Sequence, residues 1–447
     1  MSRMLKVAAA ATAAMLALAA CGGNSDDKSS NSSSSGGGTS AADVTAALSK
    51  GGSITVWAWD GTIKDVAAGF EKKYPNVKVN LVNAGTGDKQ YTALQNVVAA
   101  GKGVPDVAQI EYFAVLQFAL SKSLANISSF GAADLKSNYT PGPWNAVTPN
   151  GGVYGLPLDS GPMAMFYNKE VFDKYKITVP TTWAEYVDAA RKLHKANAKA
   201  YLTADSGDAG FTTSMIWQAG GKPYTVDGTN VGINFTSDAG SQKFATAWQP
   251  MITEKLLAPI APWTDQWFKA LGDGTIASLV TGAWMPGNLS SNAAAASGKW
   301  RVAPMPQWDA GGTATAENGG SSLGVMDKAA NKALAYAFVK YASAEEGKDI
   351  RIKAGAFPST TADLSSQTFL DTPFPYFGGQ KANEIFAKSA QNVVPGWTYL
   401  PFQVYANSIF NDTVGKAYVS STTLADGLKA WQEQSAKYGG EQGFTVK

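Results

Sequence analysis

The chain has 447 residues, with 37 lysines and arginines against 35 acidic residues, 45% hydrophobic residues, one histidine and one cysteine. A near-neutral balance without a basic stripe offers nucleic acid no footprint; a lone cysteine leaves no internal disulfide, and with one histidine it makes no familiar zinc set. The length beyond the N-terminal region, roughly 400 residues, exceeds one core and suits two domains.

The first element is Met1 to Gly22. Arg3 and Lys6 precede an apolar run from Val7 to Ala20 that ends in Leu18-Ala19-Ala20-Cys21-Gly22. A basic start, an apolar stretch of this length and small residues at its end read as a secretory signal, not a membrane span. The ending resembles a bacterial lipobox, which implies a signal peptide over 1–21 and acylation of Cys21. Each buried methylene of an acyl chain contributes about 0.8 kcal/mol, so several chains hold where one does not. Without Arg3 and Lys6 the mature chain is formally neutral. The Gly/Ser-rich residues that follow contain no aliphatic or aromatic side chain from Gly22 to Ser40. Nothing there offsets the entropy of ordering, and the expectation is a flexible tether over 22–50.

From Ser53 the chain alternates strand and helix signals. Ser53–Trp59 is a predicted strand and Lys64–Lys73 a helix with Val66, Ala67 and Phe70 near one face. Val77–Val82 is a second strand, Asp88–Ala100 a second helix and Val104–Ile110 a third strand. This order predicts a largely parallel sheet covered by helices on both faces. Thr182-x-x-Glu185 is a capping box ahead of a helix carrying Trp183, Tyr186, Val187, Ala190 and Leu193, and Ser343-x-x-Glu346 has the same form. Thr275–Val280 is strand-like, and two helices separated near Ser420–Thr423 are predicted from Gln403 to about Lys437. No later run is long and apolar enough to span a bilayer. Of the thirteen tryptophans, more than half are expected in the cores, Trp57 and Trp183 among them.

Several stretches together resemble the extracellular solute-binding proteins of ABC importers, most of all the maltose-binding type. They are Thr55–Val79, Gly103-Val104-Pro105-Asp106-Val107, Tyr154-Gly155-Leu156-Pro157 and Met165–Lys169. Pro180–Tyr186, Thr281-Gly282-Ala283-Trp284 and Gly319–Val325 continue the set. The resemblance spans essentially the whole mature chain, in order. It implies an α/β fold of two lobes (class II), each a helix-flanked, mostly parallel sheet, with the ligand cleft between them. It places one lobe at 51–156 plus 318–356 and the other at 161–310 plus 360–447. It further implies a monomer, held at the outer face of the cell membrane by its lipid, that delivers an oligosaccharide to the transmembrane subunits of an ABC permease and uses no cofactor.

Open α/β sheets bind ligands beyond the carboxyl ends of their strands. Those ends carry Trp59 and Asp60 after the first strand and Glu111 and Tyr112 after the third. Asp159 lies beyond the first proposed crossing, Trp284 after Thr275–Val280, and Asn318 ahead of Gly319-Gly320. Trp397 and Tyr399 occupy an irregular stretch, and Trp263 is a further candidate wall. Carboxylates and amides pair with sugar hydroxyls, and flat aromatic rings suit the CH-lined faces of pyranoses. Arg191, Arg301 and Arg351 are the only arginines beyond Arg3, which disfavours phosphorylated ligands, since these recruit bidentate guanidinium forks. Two alternatives stay open at this level. A polyamine would suit Asp60, Glu111 and Asp159, and a surface glycoside hydrolase needs only two carboxylates about 5–9.5 Å apart. Gly320-Ser321-Ser322-Leu323-Gly324 fits a nucleophile-elbow pattern, but His194 precedes the serine where the hydrolase order wants it after, and its lysine-rich surroundings predict an exposed ring.

Overall fold

The structure, a computed structural model, describes residues 40–447. The expected signal peptide, Cys21 and residues 22–39 of the expected tether lie outside the described residues. The end of that tether is not a coil: Ala41–Lys50 is a helix, started by the Asp43 carboxylate accepting from the Ser40 backbone N–H at 2.6 Å. Val44, Ala47 and Leu48 pack it on the first core, which the Ser/Gly composition just upstream had obscured.

Among the described residues eleven strands follow in chain order: β1 (Gly52–Trp57), β2 (Val77–Val82), β3 (Val107–Glu111), β4 (Leu156–Pro157), β5 (Met163–Asn168), β6 (Tyr224–Asp227), β7 (Asn230–Ile233), β8 (Ser278–Gly282), β9 (Trp300–Ala303), β10 (Ser321–Val325) and β11 (Thr445–Val446). The first lobe holds a five-stranded sheet in the order β2-β1-β3-β10-β4. Strands β2, β1 and β3 run parallel because helices Ile63–Lys73 and Asp88–Ala100 cross over between them. Strand β10 returns antiparallel between β3 and β4. Ile54, Val56, Val66, Phe70, Val79 and Phe338 fill one face of this sheet, following the period-2 and period-3.6 patterns of their elements.

The second lobe departs from the mostly parallel expectation. Its central sheet, β8-β5-β9, is antiparallel throughout, and β6 and β7 form an antiparallel hairpin extended by β11 in parallel. The segment Tyr201–Thr203 adds parallel bridges to Ile276 and Leu257. Met163, Met165, Trp183, Tyr186, Phe244 and Trp431 are buried in one core there, and Phe166, Trp300, Phe377 and Phe386 in another.

Other expectations meet mixed outcomes. The Thr182 capping box forms as expected, with the Thr182 hydroxyl accepting from the Glu185 N–H. Ser343 caps nothing: the burial of Phe338, Tyr341 and Ala342 carries helix Lys332–Ala344 past it, and Glu345 becomes the cap residue of the next helix. The C-terminal region has three helices, Gln403–Ser408, Lys416–Val419 and Leu424–Glu441, with turns between the first two. Seven of the thirteen tryptophans are buried, as expected. Trp57 is only half-buried and lies with Trp59 against one cluster. His194 is half-buried with its ring 5.0 Å from that of Tyr201, not exposed.

Candidate functional site

Two chain segments lie side by side between the lobes, residues 158–162 and 317–321. Pro162 bridges Glu317, and the Asn318 N–H donates to the Gly161 carbonyl at 2.8 Å. Gly320, at φ +90°, is required here: a Cβ would lie 2.6 Å from the Tyr112 ring. Three acids sit in this region, each with partners from the chain. Asp60 takes the Arg351 guanidinium at 2.7 Å and both the N–H and the hydroxyl of Thr62. Burial works against its charge, but Arg351 and Thr62 outweigh it and hold the carboxyl below the ordinary range. Arg351, almost wholly buried, also donates to the Leu158 carbonyl. Asp159 accepts from the N–H and hydroxyl of Ser321 at 2.6 and 3.0 Å, and burial raises its carboxyl even though Arg351 opposes this. The Tyr112 hydroxyl donates to the Asp159 backbone carbonyl at 2.5 Å, and its ring is buried. Glu317 accepts from the Ser160 hydroxyl and the Gly161 N–H; burial without a cation pushes it up to about 7.

A second group of candidates forms an aromatic chain across the lobes. Trp59 meets Tyr91 edge-on at 6.4 Å, Tyr91 meets Phe113 at 5.8 Å, Phe113 meets Tyr399 at 6.5 Å, and Tyr399 meets Trp397 at 6.0 Å. Tyr399 packs against the cores of both lobes. Glu111 belongs here, accepting from the Tyr91 hydroxyl at 3.0 Å. Trp397 lies flat on the buried Trp217, 5.2 Å between centroids and 9° between planes, which turns one of its faces into the second lobe.

The third group surrounds a pocket in the second lobe beside the 317–321 segment. Trp263, Asn318, Thr281, Phe211, Asp205 and Asp208 line it, together with Trp248 and Trp267 at its base. Trp263 is 52% exposed, the one tryptophan among the exposed large apolar side chains of the described residues. Its backbone is in the left-handed region, at φ +68°. Such a conformation costs a bulky residue about 1–3 kcal/mol. Its ring leans on Trp267 at 5.1 Å and on Trp284 at 5.6 Å. The Trp284 Nε1–H donates to the Asn318 carbonyl at 2.7 Å, while the Asn318 amide is held by Thr281 and Ser214. Asp205, just past the Tyr201–Thr203 segment, accepts from the Trp248 indole at 2.9 Å, the Tyr418 hydroxyl at 2.7 Å and the Gly207 N–H at 2.9 Å. Burial still pushes its carboxyl up to about 6 against those bonds. Asp208 is exposed and caps helix Ala209–Gln218 through a 2.6 Å bond from the Phe211 N–H.

Residues 58–349 match the family model of the bacterial extracellular solute-binding proteins. The chain belongs to this family. This solute-binding protein is 26% identical over 412 residues to a lactose-binding protein of Rhizobium radiobacter, covering 88% of this chain and 94% of the relative. Among solved structures it is similar to the ABC transporter associated binding protein of B. animalis subsp. lactis Bl-04 in complex with β-1,6-galactobiose. The identity is 47% and the TM-score 0.83, over 88% of this chain and 99% of that one. It is also similar to the galacto-N-biose-/lacto-N-biose I-binding protein of Bifidobacterium longum in complex with lacto-N-biose, at 25% identity and TM-score 0.75, over 89% and 99% of the chains. Membership in a family of binding proteins decides against the hydrolase readings. No described helix is long and apolar enough to cross a membrane.

The structure thus places Trp263 and Asn318 in the lining of one pocket, with Trp284 packed on Trp263 and bonded to Asn318, and Trp59, Glu111, Trp397 and Tyr399 along one aromatic chain. Asp60, Tyr112 and Asp159 lie where the lobes join. Sequence reasoning missed Asp205, Asp208, Phe211 and Trp248. The one available signal was the Asp205-Ser206-Gly207-Asp208 cluster after the apolar Ala200–Leu202, an acidic turn at the end of a strand-like segment.

Proposed function

We propose that this solute-binding protein captures a neutral oligosaccharide and delivers it to the membrane subunits of an ABC importer. The observation that carries the reading is the second-lobe pocket, where aromatic walls meet two carboxylates and, among the described residues, no lysine, arginine or histidine lines it. Carboxylates and amides accept from ring hydroxyls while an indole covers the apolar face, a combination suited to an uncharged polyol. That its relatives bind lactose, β-1,6-galactobiose and lacto-N-biose supports the same chemistry. The lobes are assigned to 51–156 with 318–356 and to 161–310 with 360–447, in line with the segregation of the two main sheets. Ligand gripped by both lobes would favour a closed form through contacts available only when both engage. The lipobox-like ending at Cys21 supports a protein tethered outside the membrane by acyl chains.

The test is a thermal-shift panel of β-1,6-galactobiose, lactose and arabinooligosaccharides against spermidine. Stabilisation by a neutral sugar, without turnover of it, is expected. Stabilisation by spermidine alone would replace the sugar with a polyamine, and release of monosaccharides would restore the hydrolase.

A further inference from the structure

The second lobe carries a patch of uncompensated positive charge. Lys174 closes helix Lys169–Lys174 and Lys176 follows it, while Lys192 and Lys195 lie near the end of helix Trp183–Ala196 and Lys199 just beyond. All five are exposed. The acids of these two helices are already engaged: Asp173 by Lys169 at 2.6 Å, Glu170 by Lys299 at 3.2 Å, Asp188 by Arg191 at 2.8 Å, and Glu185 by the Thr182 N–H at 3.1 Å. Arg191 also takes Glu254, and no acid occurs between Asp188 and Asp205. The five lysines are left without an ion pair among the described residues. The fold nevertheless gathers them. The Lys192 ammonium donates to the Lys176 carbonyl, the Asn197 amide donates to the Tyr175 hydroxyl at 3.1 Å, and the Lys174 ammonium stands 5.1 Å from the centre of the Tyr175 ring. A helix C-terminus accounts for Lys174 and Lys195, each in a last turn. It does not account for Lys176, Lys192 and Lys199. The patch lies away from the sugar pocket: helix Trp183–Ala196 lines the pocket with Tyr186 and carries Lys195 about 14 Å further along its axis.

We propose that this patch is a docking surface for an anionic phospholipid bilayer, on which the second lobe rests by Lys174, Lys176, Lys192, Lys195 and Lys199 while its pocket stays free. Three features select a lipid surface over an acidic protein. The charges are ammonium groups on long stems, which suit a mobile layer of phosphodiesters, whereas a fixed carboxylate or phosphate is better met by a guanidinium fork. Tyr175 among them offers an apolar body and a polar tip, the form of ring that settles at headgroup level. The exposed large apolar side chains, Leu81, Val82, Leu120, Trp263 and Val419, all lie outside the patch, which leaves a protein partner no anchor of the usual kind. The docking draws on the tethered reading of Cys21 for one quantity alone. A chain already held at the bilayer meets its surface at high effective concentration, so a patch too weak to recruit a free protein suffices.

The experiment is lysine footprinting. The full chain is mixed with vesicles of phosphatidylcholine alone, or of phosphatidylcholine and phosphatidylglycerol in equal parts, and acetylation rates are read by mass spectrometry. On the anionic vesicles the five lysines should react at least about threefold more slowly than on the neutral ones, and the protection should fade as salt is raised to about 0.5 M. Lys102 of the first lobe, also exposed, should keep its rate. Lys174→Gln/Lys195→Gln/Lys199→Gln should relieve the protection at Lys176 and Lys192 without moving the melting temperature. Equal rates on the two vesicles would overturn the docking, as would protection of Lys50 in place of the patch, which would turn the first lobe to the bilayer. Protection by soluble polyglutamate and not by anionic vesicles would assign the patch to an acidic protein segment and overturn the membrane. Retention on the neutral vesicles reports the anchor separately: its loss would remove the tether, and the docking would still be read from the five lysines on the anionic ones.

Discussion

The junction between the lobes and the second-lobe pocket are both rich in buried or partly buried acids, yet they use them in opposite ways. At the junction Asp60 has Arg351 and Thr62, Asp159 has Ser321, and Glu317 has Ser160 and Gly161. In the pocket, Asp205 braces the base through Trp248 and Tyr418, and Asp208 stands exposed at the mouth. Asp60 and Glu317 have both carboxylate oxygens taken by the chain and shape the fold, whereas Asp208, one oxygen of which caps a helix, stays exposed beside the Trp263 indole. The comparison makes a sharp division: changes at the junction should move stability, and changes at the pocket should move affinity.

The largest effect is expected at the junction. Arg351→Met leaves Asp60 charged without its partner and the Leu158 carbonyl short of a donor, and breaking a buried pair from one side costs about 3–5 kcal/mol. Calorimetric unfolding should show a large fall in melting temperature, with Arg351→Met/Asp60→Leu recovering part of it. A melting temperature unmoved by Arg351→Met would remove the junction from the stability account.

Next comes Glu317. Its carboxyl is raised to about 7 from the ordinary value of 4.5, so the folded protein holds this proton more tightly than the unfolded chain does. The sign follows: this group's contribution to stability is most favourable below the unfolded value and is lost as pH rises through the window from 4.5 to about 7. Glu317→Gln keeps an acceptor for the Gly161 N–H and removes the charge. Above neutrality the variant should therefore be more stable than the parent, by up to roughly 3 kcal/mol, and the difference should vanish near pH 4. Parallel melting curves for the two proteins across that range would contradict this.

At the pocket, Trp284→Ala should weaken sugar binding by about 1–3 kcal/mol, through loss of a ring that backs Trp263 and positions Asn318. Unchanged titration calorimetry would take Trp284 out of the site. The smallest effect on stability separates the two regions most cleanly. Trp263→Gly relieves a left-handed backbone, so it should hold or raise the melting temperature by the equivalent of about 1 kcal/mol while sugar affinity falls. A variant that loses stability and keeps its affinity would invert the division between junction and pocket.

Much of the first lobe was legible because its signals are local. The β1 to β3 order with its crossover helices follows from alternation within strands, helical spacing in Val66, Ala67 and Phe70, and Pro75 after the first helix. The second lobe was less legible, since strand pairing there joins segments more than a hundred residues apart, as in β5 with β8 and β9. The candidate site divided on the same ground. Trp263, Trp284 and Asn318 could be proposed from strand ends and aromatic chemistry. That Asp60 is committed to an arginine 291 positions away has no local signature, and the same holds for the bond from Tyr418 that fixes Asp205, 213 positions along the chain. A strand end shows where an acid lies and says nothing about whether the remaining fold already supplies its partner.

The most direct test is a crystal structure of the protein with a bound neutral disaccharide, β-1,6-galactobiose first. The account predicts electron density for sugar in the second-lobe pocket, a ring face against Trp263 and hydroxyls at Asp208. Density confined to the aromatic chain of Trp59, Tyr91 and Tyr399, with the pocket left to water, would contradict it.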